Sequence, residues 1–209
     1  MEHATPGEKS SSEDGITIPA VDAVIAKLKG RFSGVTSLTA DFTQEVKSGS
    51  TPMGRLTGKV TLKRPGAREL LSSMKWVYSN GDTITSDGHT TWVYQPDLNQ
   101  VIESKGAPGS VAADFLTGMG DVKKSFTVSL DEKRKDAFVL RLAPKTGENN
   151  VKRVTLEISR TDYLVKKSIV EDWFGTLTEI EFSGMRLNEP VAAGLFDFKP
   201  PKGARVVRP

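Results

Sequence analysis

Apolar positions recur along this chain at two periods, and the switch between them marks its organisation. Between Ile18 and Val35, the residues Val21, Val24, Ile25, Leu28 and Phe32 fall at the spacing of one helical face, and Pro19 stands where a first turn accepts it. Such a helix needs a sheet to lie on. From Leu38 onward the period is mostly two: Leu38, Ala40 and Phe42 alternate with polar neighbours, as do Leu56, Gly58, Val60 and Leu62, then Met74, Trp76 and Tyr78. Trp92 aligns with Tyr94 in "TTWVYQP". Further strands are expected in "SFTVSL", "AFVLRLA", "VKRVTLEIS", "YLVKKSIVED" and "TLTEIEFSGM", with turn chemistry in "SNGD", "SDGH" and "KTGENN". Roughly ten strands at hairpin spacing are too many for one flat sheet, so the sheet must curl or split.

One stretch interrupts the meander. In "GAPGSVAADFLTGMGD", Val111, Phe115 and Met119 fall four apart with Leu116 beside Phe115, and glycines flank them, which predicts a short amphipathic helix covering part of the sheet. The opening "MEHATPGEKSSSEDG" is polar and without apolar period. Residues 1–15 are therefore expected to be a disordered tail, and 16–209 a single domain. No solenoid repeat and no linker divides the chain.

An inward aromatic set is expected from Phe42, Trp76, Tyr78, Trp92, Tyr94 and Phe115. It either fills an ordinary core or lines a hollow apolar interior able to hold a ligand. Continuing the alternation of "RLTGKVTLKRPG" places Arg64 on the apolar side, where an unpaired charge is costly. On the residues alone, the arginine is expected to cap the strand beside Pro65 and extend its stem to water.

Charge and chemistry narrow the function. The 29 basic and 26 acidic residues leave a net charge of +3, short of a nucleic-acid footprint. No run is long and apolar enough to span a bilayer as a helix, and no charged segment followed by an apolar core opens the chain, so it reads as soluble. Cysteine is absent, which excludes disulfides, thiol nucleophiles and a lipid-modified N-terminal cysteine. His3 and His89 have no partners at metal or triad spacing, and no nucleotide or nucleophile-elbow motif occurs. Glu171 and Asp172 are strand neighbours and face opposite ways. No enzyme, metal or cofactor is expected, and a hydrolase would require an acid and base that no local pattern supplies.

The run from "LTADFTQEV" through "GKVTLKRPG", "SDGHTTWVYQPDLNQV" and "DFLTGMGD" to "LFDFKPPKGARVV" resembles the periplasmic outer-membrane lipoprotein carriers of the LolA family, over roughly Ile18 to Val207. The resemblance implies an α+β, mainly β fold: a strongly curved, incomplete antiparallel barrel of about ten or eleven strands, closed by a helical lid around an apolar cavity. It implies a soluble periplasmic monomer that takes acylated lipoproteins from an inner-membrane ABC transporter to an outer-membrane receptor. The acyl chains would contact Phe42, Leu56, Val60, Leu62, Met74, Trp76, Trp92, Tyr94, Phe115 and Leu116. Arg64 matches the arginine of the family's "KRP" motif, which hydrogen-bonds to the lid and holds the empty carrier closed. "GARELLSSMK" makes the connection from Arg64 to Trp76 longer than in the family's pattern. A lipid- or peptide-sensing periplasmic module of the same fold is the alternative.

Overall fold

The computed structural model describes residues 21–64, 72–106, 122–131, 134–146, 150–192 and 194–209. The expected tail at 1–15, the expected helix bearing Phe115 and Leu116, and Pro65 lie outside these. Helix α1 (Val21–Ser33) buries Val24, Ile25, Leu28 and Phe32, the face that its 3.6-residue period marks out. The strands are β1 (Ser37–Ser48), β2 (Thr51–Lys63), β3 (Ser73–Tyr78), β4 (Thr83–Ser86), β5 (Thr90–Gln95), β6 (Gln100–Lys105), β7 (Phe126–Asp131), β8 (Ala137–Pro144), β9 (Val151–Ser159), β10 (Val165–Asp172), β11 (Thr176–Leu187) and β12 (Arg205–Val207). A single-turn helix α2 (Val122–Ser125) precedes β7.

All twelve strands form one sheet in the order β12-β6-β5-β4-β3-β2-β1-β11-β10-β9-β8-β7. Every pairing is antiparallel except that of β12 with β6. The sheet is curved and open, with β12 and β7 at its ends among the described residues. Two bulges beside β1 help the sheet coil: β11 carries an extra residue across from Thr39–Asp41, and β2 carries one across from Val46–Lys47. Gly184, within the first of these, takes a positive φ of 58° with the Asp41 carboxylate 3.2 Å from where a Cβ would stand.

Directly paired residues share a face, so the register assigns the inner side of the sheet. Leu38, Ala40 and Phe42 of β1 pair with Leu62, Val60 and Gly58 of β2, which pair in turn with Met74, Trp76 and Tyr78 of β3. On the other flank, Phe42 faces Phe182 of β11, while Leu140 of β8 faces Leu156 of β9, and Leu156 faces Ser168 of β10. These side chains and the buried face of α1 make one apolar core. The turns follow their sequence signals: in "SDGH" the Asp87 carboxylate accepts from the N–H of His89 (2.8 Å) and of Thr90 (2.7 Å).

The twelve strands among the described residues outnumber the ten or eleven or so expected because short elements emit little periodic signal. β4 spans four residues and β12 three. β12 exists through tertiary contacts: the Arg205 N–H donates to the Asn99 carbonyl at 2.9 Å, and the Arg208 guanidinium meets both Glu103 oxygens, at 2.8 and 3.2 Å.

Candidate functional site

The inner face carries the candidate site. Its centre is an aromatic cluster in which Phe42 meets Trp76 edge-on at 4.9 Å and Tyr78 at 5.1 Å, while Trp76 also meets Phe182 at 6.2 Å. Gly58 makes the cluster possible: the Phe42 ring lies over it, with the ring Cζ only 2.6 Å from where a Cβ would stand.

Of the expected contact residues, Phe42, Val60, Leu62, Met74 and Trp76 lie together on this face and are buried; Leu56 lies on it half-buried. The longer connection after Arg64 leaves Met74 and Trp76 in inward register, opposite Leu62 and Val60. Trp92 and Tyr94 depart from the expectation. Met74 and Trp76 pair with Ser86 and Ile84, which pair with Thr91 and Val93, so Trp92 and Tyr94 point to the outer face. There Phe198 of the C-terminal segment covers them, stacked on Trp92 at 5.7 Å and tilted against Tyr94 at 6.5 Å. An aromatic stripe that is covered on the outside reads the same as one turned inward. Phe115 and Leu116 lie outside the described residues.

Phe182, Ile180, Leu140, Leu142, Val154 and Leu156, none of them among the expected contacts, are buried as well. The signal was there, since "AFVLRLA" and "VKRVTLEIS" alternate, but it did not single out a face.

Burial falls along the inner face in one direction. On β1, Leu38, Ala40 and Phe42 are buried, whereas Gln44 and Val46 are only partly so; on β2, Leu62 and Val60 give way to Leu56; on β11, Phe182 and Ile180 give way to Thr178. The face opens toward the tips of the β1–β2 and β10–β11 hairpins. Tyr78 stands partway along, its hydroxyl 3.4 Å from the Gln44 side-chain oxygen, and burial, aided by the Asp82 charge, pushes its phenol up to about 12.

The opposite end is tied down around Arg64. Its Nε–H donates to the Val35 carbonyl at 3.0 Å, an Nη donates to the Phe32 carbonyl at 3.3 Å, and its own N–H donates to the Thr36 carbonyl at 2.9 Å. Arg64 has interactions beyond these. The guanidinium therefore sits at the C-terminal end of α1, where carbonyls lack helical partners and the helix dipole favours a cation. Asn188 secures the same turn, accepting from the Thr36 N–H at 2.8 Å.

No cluster of three or more His, Cys, Asp or Glu able to hold a metal occurs among the described residues. An open groove of about 550 Å³ is lined by Asp41, Thr43, Lys59 and Val77, of outward register, and also by Phe42, Gly58 and Tyr78.

A family profile described as outer membrane lipoprotein carrier protein LolA matches residues 33–199. The chain is 33% identical over 201 residues to the outer-membrane lipoprotein carrier protein of Cupriavidus necator, covering 92% of each. It is 32% identical over 197 residues to that of Chromobacterium violaceum, covering 92% of this chain and 91% of that one. Among solved structures, an uncharacterized conserved protein from Thermus thermophilus is similar in fold, with TM-score 0.55 at 13% identity over 90% of this chain and 98% of that one. MucB is similar with TM-score 0.51 at 14% identity, over 89% of this chain and 64% of that one.

Proposed function

The chain belongs to the LolA family of outer membrane lipoprotein carrier proteins, and on that premise we propose that it carries lipoproteins through the periplasm with their acyl chains against the inner face of the sheet. The observation that carries this reading is the inner face itself. It is mainly apolar across β7–β11 and β1–β3, with Ser168, Gln44 and Thr178 interspersed, is partly covered by α1, and opens toward one end.

A carrier answers a large energetic problem. An anchor of about three acyl chains, each with roughly fifteen methylenes at about 0.8 kcal/mol apiece, would cost on the order of 35 kcal/mol to hold in water. An interior lined by Phe42, Trp76, Leu56 and Phe182 offers a medium close to the membrane's own. Direction then follows from differential affinity along the route, from an inner-membrane ABC transporter to an outer-membrane receptor. Arg64 is the latch in this proposal. Its bonds to the end of α1 hold the empty chain closed and are weak enough to yield when acyl chains enter.

The test is to mix the purified chain with a triacylated lipoprotein in detergent, dilute the detergent below its micellar range, and run size exclusion. The expected result is a soluble one-to-one complex. A lipoprotein left aggregated beside a folded chain would refute the carrier reading and favour a sensing module of the same fold.

A further inference from the structure

Three of the five exposed large apolar side chains among the described residues stand where two long hairpins of the sheet end, the others being Val77 and Leu98. Trp173 is 58% and Phe174 80% exposed at the β10–β11 turn, and Met53, just past the β1–β2 turn, is 66% exposed. The turns are neighbours: Ser48 pairs with both Thr51 and Thr176, and the Gly49 N–H donates to the Gly175 carbonyl at 3.3 Å.

The aromatic turn is firmly built. The Asp172 carboxylate accepts from the N–H of Phe174 and of Thr176, each at 2.8 Å, and the Gly175 N–H returns to the Asp172 carbonyl at 3.2 Å. Gly175 supplies the positive φ, 82°, that this turn requires. Two adjacent rings are thus held outward at a fixed place.

The charges behind the tip are matched. Glu171 meets Lys152 and Arg153, Glu179 meets Lys47 and Lys167, and Glu45 meets Lys47 and Arg55. With Asp172 engaged by backbone N–H groups, no bare carboxylate of this set stands behind the rings to repel an anionic surface. Two rings and a thioether on a protruding tip offer too little area for a standard protein interface. Trp and Phe beside basic residues are, however, the side chains that partition into the boundary between lipid headgroups and acyl chains. The inner apolar face opens toward these same tips.

We propose that the Trp173–Phe174 tip, with Met53 beside it, is a bilayer-contact point that seats in the headgroup–acyl boundary and brings the open end of the inner face to the membrane surface. It rests on the carrier reading for its purpose: acyl chains passing between membrane and inner face then cross little water.

Flotation and fluorescence of the full chain with vesicles of phosphatidylethanolamine and phosphatidylglycerol bearing brominated acyl chains test this, without any lipoprotein present. Of the three tryptophans, Trp76 is buried and Trp92 is stacked under Phe198, so Trp173 reports the lipid. The expected result is a blue-shifted, bromine-quenched emission and co-flotation that persists in high salt. Partitioning should fall roughly ten-fold or more in the double variant W173S/F174S, which should keep the wild-type melting temperature because both residues are exposed. W173F should still float while losing the spectral response.

Wild type that neither floats nor is quenched, or a double variant that floats as well as wild type, would overturn the proposal. So would tip variants that bind vesicles normally but lose a purified receptor or transporter protein, since a protein would then cover the tip. The detergent-dilution assay contains no membrane and reads the carrier function separately. A chain that holds a lipoprotein yet ignores vesicles would sink the tip and leave the carrier standing.

Discussion

Replacing Arg64 with leucine removes, among its contacts, the guanidinium hydrogen bonds to the carbonyls of Phe32 and Val35, while keeping an apolar stem. Bonds from a charged donor contribute about 1.5–3 kcal/mol each, and the half-buried position lets water reclaim part of that. The expected loss is about 2–3 kcal/mol, which at about 2–4 °C per kcal/mol for a chain of this size lowers the melting temperature by roughly 4–12 °C. Urea denaturation of wild type and Arg64→Leu measures the first quantity. Hydrogen exchange at the amides from Leu28 to Val35 locates it, since the loosened end of α1 should exchange faster than the rest of the helix. Arg64→Lys should recover less than half, because an ammonium cannot span two carbonyls as the planar fork does. A leucine variant within about 0.5 kcal/mol of wild type, with unchanged exchange at that end, would refute the reasoning that these bonds hold α1 in place.

Other outcomes follow from the same geometry. Gly58→Ala should destabilise by about 3 kcal/mol in urea titrations, because its Cβ would stand 2.2 Å from the Val77 carbonyl oxygen and beneath the Phe42 ring. Tyr78 should make stability fall at high pH: its folded value, about 12, exceeds the unfolded value of 10.0, so the native state keeps the proton longer. Its contribution is intact below pH 10 and is lost as pH rises toward 12; wild type should lose about 2–3 kcal/mol more than Tyr78→Phe across that window, read by denaturation at each pH. Trp92→Ala should lower the melting temperature without weakening lipoprotein retention on size exclusion, whereas Trp76→Ala should lower both, by about 3–5 kcal/mol in stability.

Much of the sheet was legible because each strand buries one side, and a buried side writes period two into the sequence. Leu38, Ala40 and Phe42, or Met74, Trp76 and Tyr78, could be grouped correctly without coordinates. Alternation separates two faces but does not say which is inner. That choice failed at Trp92 and Tyr94, where Phe198, arriving from the far end of the chain, makes the outer face apolar as well. The parity of Arg64 was readable from "RLTGKVTLKRPG"; its carbonyl partners were not, because Phe32 and Val35 lie about thirty residues away and are met only once the sheet has curled. Trp173 and Phe174 fall between the expected strands "YLVKKSIVED" and "TLTEIEFSGM", where no period assigns a side chain to a face. Their display depends on the Asp172 turn, whose bonds a hydrophobicity pattern does not record.

The central claim is that acyl chains lie against the inner face of the sheet. A photoreactive phenylalanine analogue placed at Leu56, inner and half-buried, or at Trp92, outer and covered by Phe198, tests it directly in the complex formed by detergent dilution with a triacylated lipoprotein. Cross-links to the acyl moiety from position 56 and none from position 92 are the expected result. A soluble complex that cross-links from position 92, or not at all from position 56, would contradict the account.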